Sequence, residues 1–381
     1  ASFSQALYDD TDPIVEVTIP NAIESIGNYT FSNFLNLRKV NFNEGLKYIG
    51  EEAFYGDKLE VIELPDSLTE IGSCAFSSCS RVNKIRIGKN LTIDNIGEDA
   101  FYGIKLATDQ FECNGSISLD DLVDNCGVTK LTEYINGLQI VDTTVVGYVG
   151  KHSTVEIPNY ITTIASNAFQ YNQDIRHIVF GKNLETIQYG AFDCCYNLEK
   201  INFTGNSLKR IESNAFNSCH IKDIKIPEGV EYIGDNAFAN YQGENIIIPS
   251  TVTTIGRTAF KLCECNTLVW KVINCTTYPI STSTVPFYNG NIKNLVIDNG
   301  VKIIPDYFLA YVKSLNDITI PQSVESIGTY AFFEVNALKY LKILSNSLKS
   351  IGNNAFNDCY YLNRIDIVTK TAPTIGSNTF A

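Results

Sequence analysis

The chain has 381 residues, of which 44% are hydrophobic, and this is enough for a large packed interior. Its formal net charge of −13 excludes nucleic acid as an expected main partner, because such binding depends on neutralising phosphates. No apolar run approaches the length of a bilayer span, so we expect no membrane insertion. Methionine is absent even from position 1, and we therefore expect a processed chain from which an export signal has been removed.

The first 12 residues lack any periodic pattern and are expected to form an amino-terminal cap. After them the hexapeptide Ile-Gly-x-x-Ala-Phe recurs at a spacing of 22 to 25 residues wherever copies are adjacent. A period in this range predicts a solenoid of stacked coils, since one such unit cannot bury its apolar side alone. Identical copies end at Phe54, Phe76, Phe101, Phe238, Phe260, Phe332 and Phe356, and copies that differ at one place end at Phe31, Phe169, Phe192, Phe216 and Phe380.

The coil spanning 315–332 shows the strand half of the pattern. Ile318 and Ile320 alternate with polar residues, which predicts a short strand with one buried side. Pro321 follows directly, and it ends the strand because proline has no N–H to donate to a neighbouring strand. Prolines recur at this phase as Pro20, Pro65, Pro158, Pro227 and Pro249.

The hexapeptide forms the other half of the coil. Gly328 is interpreted as a residue that permits a turn which a side chain would hinder. Ala331 is small enough for tight packing against the next coil, and Phe332 is predicted to stack with its equivalents in a central aromatic spine. A short helical or 3₁₀ turn is expected to lead from the phenylalanine to the next strand.

Strands of successive coils run in the same direction. The sequence therefore predicts an α/β-type solenoid with one long parallel sheet on a concave side and short helical or 3₁₀ turns on a convex side. Residues 1–381 are expected to form a single leucine-rich-repeat solenoid.

The repeat resembles the BspA-type leucine-rich repeat family over almost the whole chain. The string that carries the resemblance is Leu-x-x-Ile-x-Ile-Pro-x-x-Val-x-x-Ile-Gly-x-x-Ala-Phe-x-x-Cys. The resemblance implies a protein exported to the surface of mucosal anaerobic bacteria or parasitic protists. It also implies a role in adhesion to host proteins or to other microbes.

Residues 102–150 interrupt the repeat. Ser118 and Asp121 have capping-box spacing and predict a short helix. The segments 138–141 and 145–149 are interpreted as strands around a hairpin turn at 142–144. Two interpretations remain open for this irregular insertion, namely a divergent pair of coils or a protruding recognition element.

Residues 266–290 form a second irregular region, which contains the only tryptophan, Trp270. Pro286-Phe287 keeps the aromatic phase of the repeat, and Phe308-Leu309 is a second degraded copy. We interpret the region as degenerate coils with a longer surface loop. Phe380 completes a hexapeptide one residue before the end, and we expect the native chain to continue because terminal coils need a polar cover.

Five of the eleven cysteines stand three residues after the repeat phenylalanine. A residue tied to the repeat phase is most simply a small buried hydrophobic group, and this interpretation is favoured over disulfide bonding. The five are Cys79, Cys195, Cys219, Cys263 and Cys359.

No motif predicts catalysis, a cofactor or a metal. The chain has no phosphate-binding glycine loop and no zinc-protease or serine-hydrolase motif. Cys219 and His220 are adjacent, and adjacent side chains usually point apart. Cys263, Cys265 and Cys275 lack a fourth ligand at a spacing typical of zinc fingers. We therefore expect a protein that is not an enzyme and that binds no cofactor and no metal.

Charge is distributed unevenly over the predicted strands. The two outward positions of eleven recognisable strands hold seven Lys or Arg and four Asp or Glu, which predicts a mildly positive sheet face on an acidic chain. Lysine and arginine stems lying along apolar neighbours would explain the same pattern without a ligand. The candidate binding residues on this face are Lys84, Arg86, His177, Lys200, Lys225, Tyr340, Lys342 and Arg364.

Two functions remain open. The first is a surface or secreted, adhesin-like protein that recognises a protein or a glycan on host or neighbouring cells through the sheet face and inserted loops. The alternative is a structural spacer that displays another domain from the cell envelope. In either case we expect a monomer at the cell surface or outside the cell, without nucleic acid as a partner.

Overall fold

The computed structural model describes residues 14–273, 275–277 and 284–381. The chain divides into two compact units, unit 1 within residues 1–142 and unit 2 within residues 143–381. The boundary lies inside the predicted irregular insertion, and each unit is a stack of coils. The prediction of one continuous solenoid over the whole chain stays a prediction. The expected amino-terminal cap lies outside the described residues.

Most coils contribute one strand of three to seven residues and one strand of two residues. In chain order, the described part of unit 1 contains β1 (Glu16–Thr18), β2 (Ser25–Ile26), β3 (Lys39–Asn41), β4 (Tyr48–Ile49), β5 (Val61–Glu63), β6 (Glu70–Ile71), β7 (Lys84–Ile87), a 3₁₀ helix (Ile93–Asn95), β8 (Lys105–Leu106), a second 3₁₀ helix (Thr108–Gln110), β9 (Phe111–Cys113), α1 (Leu119–Cys126), β10 (Thr129–Lys130), β11 (Glu133–Ile135) and β12 (Leu138–Val141).

The described part of unit 2 consists of strands joined by turns. It contains β13 (Thr144–Tyr148), β14 (Thr154–Glu156), β15 (Thr163–Ile164), β16 (His177–Phe180), β17 (Thr186–Ile187), β18 (Lys200–Phe203), β19 (Arg210–Ile211), β20 (Asp223–Lys225), β21 (Tyr232–Ile233), β22 (Asn245–Ile248), β23 (Thr254–Ile255), β24 (Glu264–Trp270), β25 (Thr276–Thr277), β26 (Asn291–Ile297), β27 (Ile303–Ile304), β28 (Asp317–Ile320), β29 (Ser326–Ile327), β30 (Tyr340–Ile343), β31 (Ser350–Ile351), β32 (Arg364–Ile367) and β33 (Thr374–Ile375).

The longer strands form the first wall of each unit, which we call the strand wall. Their pairing is parallel, as predicted, but the single long sheet is wrong. The described strand wall is a series of short sheets of two to four strands: β1-β3 and β5-β7-β9 in unit 1, and β14-β16-β18, β20-β22-β24-β26 and β28-β30-β32 in unit 2.

The two-residue strands form a second wall that the sequence analysis did not anticipate. Most of them carry the isoleucine of the hexapeptide, and they pair in parallel with one another and, in unit 2, with the five-residue β13. The pairings are β2-β4-β6 in unit 1, and β13-β15-β17-β19-β21-β23-β25 and β27-β29-β31-β33 in unit 2. The hexapeptide isoleucine therefore lies in a strand, and not in a connection between a strand and a helix.

The segment around the repeat phenylalanine forms a third wall, made of turns. The predicted helical or 3₁₀ turns are not confirmed there, since the helices whose bounds are described all lie within 93–126. Residues two before and two after the phenylalanine are left-handed, as at Glu52 (φ 49°) and Gly56 (φ 75°), and this conformation ends a helix. The Phe54 N–H donates to the Ala75 carbonyl of the next coil at 2.8 Å, a bond repeated in most coils, so the backbone pairs between coils.

Gly328 is required for a reason other than the predicted one. Its φ is not in the left-handed region, but a Cβ added to it would lie 2.5 Å from the Asp306 nitrogen of the preceding coil. The glycine therefore permits close approach of two backbones. The constraint is local, because three successive coils hold Ala165, Gln188 and Glu212 at the same phase.

The predicted aromatic spine is confirmed within each unit. Phe54 and Phe76 stack with ring centroids 5.1 Å apart and an interplanar angle of 4°, and Phe192 and Phe216 do so at 5.1 Å and 2°. The stack changes at the degraded copy, where Phe308 meets Phe287 and Phe332 edge to face. The alanine place of that coil holds Phe308, so its ring approaches the spine from one side.

The helix predicted in the irregular insertion is confirmed. The Ser118 hydroxyl accepts from the Asp121 N–H, and the Asp121 carboxylate accepts from the Ser118 N–H, so α1 begins with a capping box. The Phe101 N–H donates to the Cys126 carbonyl, which takes the place that alanine holds in a regular coil. Since β9 also pairs with β7, residues 105–130 are divergent coils.

A hairpin forms nearby at a turn that the sequence analysis missed. Strands β11 and β12 pair antiparallel across Asn136-Gly137, whose φ values of 50° and 85° suit a two-residue hairpin turn. The strands predicted on either side of 142–144 both form, and the boundary between the units falls between them.

The second irregular region, residues 266–290, was predicted to consist of degenerate coils, but the strands that it contributes to the strand wall are regular. Strands β24 and β26 have seven residues each and pair in register from Glu264 with Asn291 to Trp270 with Ile297. Trp270 is fully buried and its ring lies 4.5 Å from Phe308. Residues 274 and 278–283 of the predicted surface loop lie outside the described residues.

Candidate binding groove

The strand wall is not positively charged as a whole. Four strands without the regular pattern, β1, β9, β14 and β24, also contribute outward positions. Three of these strands add Glu16, Glu112 and Glu156, which raises the acids at the two outward positions from four to seven and equals the seven cations. The predicted positive face is therefore wrong, and any positive field on it is local.

The first two candidate residues lie in unit 1 among acids. The Lys84 Nζ is 2.7 Å from Glu112 Oε1, and Arg86 lies in register between Glu63 and Glu112. The cations of β7 are thus balanced by carboxylates of both neighbouring strands. These carboxylates therefore offset the positive charge of Lys84 and Arg86 within the strand wall.

Three further candidates lie near the carboxyl-terminal end of unit 2. The Tyr340 hydroxyl donates to Asp366 Oδ2 at 2.6 Å, and Arg364 contacts the same carboxylate at 2.8 Å. The Arg364 guanidinium also lies 4.7 Å from the centre of the Tyr340 ring. Lys342 is in register with Asp366 but has no carboxylate within 4.0 Å among the described residues, so Asp366 neutralises Arg364 and leaves the charge of Lys342 unpaired.

The remaining three candidates line one groove in the strand wall of unit 2, which we call the β18–β20 groove. His177, Lys200 and Lys225 border a space of about 870 Å³. This volume lies within the range of natural ligand pockets. Of the eight candidates, these three are the ones that the structure brings to one concave site.

Two further cations of the groove are neutralised by one carboxylate. Arg176 and Lys222 contact Glu199 at 3.0 and 2.8 Å. The hydrogen bond from Lys222, and then the one from Arg176, hold the pKa of Glu199 below its usual value. The Asp223 carboxylate of the same groove accepts from the Asn245 amide at 2.8 Å.

Three lysines of the groove have no such partner. Within the described part of the chain, no carboxylate lies within 4.0 Å of the ammonium groups of Lys200, Lys225 or Lys271. The three lysines line the groove together with apolar residues, which include Ile226, Pro227, Ile247 and Pro249. A local positive field over an apolar lining favours an anionic ligand that also carries apolar groups.

The groove exists because the strand wall is interrupted between β18 and β20. No register pairing joins these strands, and the Lys222 N–H donates to the Glu199 carbonyl before β20 begins. Ile201 and Phe203 are partly exposed there, whereas their equivalents Ile178 and Phe180 in the preceding coil are fully buried. The floor of the groove therefore consists of side chains that other coils keep in the core.

His177 faces this groove as a neutral ring. Burial, and then the charge of Lys200, lower the pKa of the imidazole below its ordinary value of 6.5. Its Nε2 is buried and has no hydrogen-bond partner among the described residues. At neutral pH it can donate or accept a hydrogen bond, and it adds no charge to the lysines.

Sequence reasoning missed Arg176, Lys222, Ile201 and Phe203, which either precede the strands or point inward. The sequence contains one partial signal for the floor, which is absent from the strand before the interruption between β26 and β28. The strand that ends in Asn202-Phe203 and the one followed by Phe42 both carry Asn-Phe, and both precede an interruption of the strand wall.

The five cysteines at the repeat phase are buried, as predicted. In four of them the thiol also donates to the phenylalanine carbonyl of the preceding coil, for example from Cys195 to Phe169 at 3.0 Å and from Cys219 to Phe192 at 3.1 Å. The neighbouring His220 is exposed, so Cys219 and His220 point apart. No cysteine of the described part is in a disulfide.

Metal binding and membrane spanning find no support in the described residues. No group of three or more His, Cys, Asp or Glu side chains there is placed to hold a metal ion. Cys263 and Cys265 are both buried, and burial raises the pKa of Cys265 to about 12. Within the same residues, no helix has the length and apolar character needed to cross a bilayer.

Comparison with known proteins identifies the repeat. The model of the BspA type leucine rich repeat region matches residues 1–128, 147–267 and 281–381, in six copies. No curated protein sequence matches the chain.

Several solved structures show similarity to this chain. A leucine-rich repeat protein from Bacteroides ovatus ATCC 8483 is 22% identical, with a TM-score of 0.46 and coverage of 92% of this chain and 86% of that one. The pneumococcal vaccine antigen PcpA is 19% identical, with a TM-score of 0.36 and coverage of 97% and 81%. A leucine rich cell surface protein from Faecalibacterium prausnitzii A2-165 is 20% identical, with a TM-score of 0.32 and coverage of 94% and 88%.

Proposed function

Because the chain belongs to the BspA-type leucine-rich repeat family, we propose that it is a non-enzymatic binding protein of the cell surface or the extracellular space. Its partner is a protein or glycan of another cell, and the strand wall of unit 2 is the recognition surface. Repeat solenoids present long rigid surfaces that suit this task. Since fold alone does not define function, the proposal rests on the site.

The observation that carries the proposal is the β18–β20 groove. Three lysines without a described carboxylate partner border a floor of partly exposed core side chains. Partly exposed apolar side chains lower the stability of the folded protein, because they forgo part of the favourable free energy of burial. A surface whose only role is solubility has no need of them. A macromolecular ligand that covers the floor removes this cost and neutralises the lysines.

The test compares two charge-reversal pairs in the full chain. One variant carries Lys200→Glu and Lys225→Glu in the groove, and the matched control carries Lys84→Glu and Arg86→Glu in unit 1. Binding to immobilised extracellular matrix proteins and to intact mucosal bacteria is measured at physiological salt. We expect the groove pair to weaken binding about tenfold or more, and the control pair to weaken it less, since Glu112 already neutralises Lys84.

A variant carrying all four substitutions is expected to abolish binding to an acidic partner. Equal binding by the wild type and both pairs would remove the groove as the recognition surface. Absence of binding to every member of the panel would contradict the binding role and leave the structural spacer as the better description.

A further inference from the structure

The interruption between β18 and β20 leaves two strand edges open. Strand β18 pairs with β16 on its other side, and β20 pairs with β22, so each is the last strand of its sheet. An open edge presents backbone N–H and C=O groups that can pair with an added extended chain. A parallel or antiparallel peptide segment can satisfy these groups in the same way as a strand of the protein.

The floor next to these edges is apolar. Ile201 and Phe203 belong to the inward-facing side of β18, and Phe203 stacks on the buried Phe180 at 4.9 Å. Ile226 and Pro227 line the opposite side of the groove. Alternate side chains of an extended peptide point to one side, so apolar residues at every second position would cover this floor.

The rim is cationic. Lys200 and Lys225 flank the interruption on its two sides, and Lys271 lies beyond Ile247 on the same lining. Carboxylates at the intervening positions of an extended peptide would point away from the floor, toward these lysines.

We propose that the β18–β20 groove binds an extended acidic peptide segment, with alternating apolar and carboxylate side chains, by strand addition to the open edge. This inference rests on the proposed binding function and names the partner chemistry of that site. A peptide is favoured over an acidic glycan because an apolar floor and an unpaired backbone edge match a polypeptide.

The probe is a fluorescein-labelled decapeptide of alternating valine and glutamate, titrated with the full chain by fluorescence anisotropy. The groove variant carries Lys200→Glu, Lys225→Glu and Lys271→Glu. The control variant carries Lys182→Glu, Lys293→Glu and Lys313→Glu, which are exposed lysines outside the groove lining. Because both variants change the net charge equally, they separate a local site from a general field.

We expect the groove variant to weaken the Kd for the alternating peptide by about tenfold to a hundredfold, and the control variant to change it less than about threefold. A peptide of five valines followed by five glutamates is expected to bind at least tenfold more weakly. It cannot place valines on the floor and glutamates next to the lysines along the whole groove. Methylation of alternate backbone nitrogens is expected to abolish binding, because it removes the donors needed for strand addition.

Equal affinity for the alternating, block and methylated peptides would overturn the proposal. So would a heparin hexasaccharide that binds the wild type but not the groove variant while the alternating peptide does not bind. If the peptide fails while matrix binding still depends on Lys200 and Lys225, this inference is wrong and the proposed function stands. If the peptide binds while no panel member does, the proposed function fails and the groove assignment holds.

Discussion

Gly328 lies where a Cβ would meet the Asp306 backbone nitrogen at 2.5 Å, although its own φ is ordinary. The sequence pattern correctly marks the position as special, because glycine recurs there in nine of the twelve hexapeptides. The pattern cannot distinguish a need for a turn from a need for close approach. That difference depends on the distance to another coil, which a single repeat does not contain.

Gly328→Ala is expected to destabilise the protein by about 1–3 kcal/mol, since the added methyl group forces two backbones apart. The measurement is the urea midpoint of unfolding. Gly300→Ala is the matched control, because a Cβ there has its nearest contact at 3.4 Å, with the Asp298 carboxylate. A loss of stability as large in Gly300→Ala as in Gly328→Ala would contradict this explanation.

Among the structural elements, the aromatic spine is the one that the sequence predicts most directly. Its phase follows from the constant place of phenylalanine in the hexapeptide, and stacking is confirmed wherever regular copies are adjacent within a unit. The conformation of the turn wall was harder to predict from the sequence. Left-handed residues on both sides of the phenylalanine include Asn, Asp and Gly but also Tyr, Glu and Leu, so composition did not indicate them.

Phe216→Ala tests the spine. Its ring is buried between Phe192 and Phe238, at 5.1 and 5.3 Å, so its removal leaves a cavity and is expected to cost about 3–5 kcal/mol. Phe380 stacks on Phe356 alone and is 37% exposed, and Phe380→Ala is expected to cost less than half as much. Urea unfolding measures both, and equal costs would show that stacking within the spine is not the source of the stability.

The β18–β20 groove belongs to the same scale and was only partly predictable. His177, Lys200 and Lys225 were named from the alternation of strand residues. Their convergence, and the exposure of Ile201 and Phe203, arise from a lost ladder between two coils. The Asn-Phe pair at 202–203 does not by itself predict that event, since the strand wall is also interrupted after β26, which ends in Val296-Ile297.

At the scale of the whole molecule, repeat-phase thiols are buried in coils of both units. Burial raises the pKa of Cys195 and of Cys359 to about 12, and it raises the pKa of Cys79, Cys219 and Cys263 as well. The neutral thiol is therefore the form that the folded state favours. Its contribution to stability is complete below the thiol pKa of the unfolded chain, near 9.0.

Stability is expected to fall between pH 9 and pH 12, because the unfolded state loses thiol protons in a range where the folded state keeps them. Each such thiol contributes about 1.4 kcal/mol per pH unit in this window. Urea unfolding from pH 8 to pH 11 measures the slope. The double variant Cys195→Ala and Cys359→Ala is expected to reduce it, whereas Cys113→Ala retains both thiols and the wild-type slope.

A pH slope unchanged in the double variant would contradict this account. Iodoacetamide provides a second measurement, since the repeat-phase thiols are expected to react only after unfolding. Half-buried Cys74 is the comparison within the folded chain. Labelling of Cys195 as fast as Cys74 would show that the coil wall does not protect it.

The sequence by itself determined the coil, the parallel pairing of strands, the aromatic spine and the burial of the phased cysteines. Each of these follows from apolar side chains that recur at one phase, and such a pattern is local to the repeat. The tertiary structure decided which coils keep their ladder, which carboxylates neutralise which cations, and where core side chains reach solvent. Those outcomes depend on the alignment of neighbouring coils and on Glu16, Glu112 and Glu156, whose strands lack the regular pattern, so no single repeat contains them.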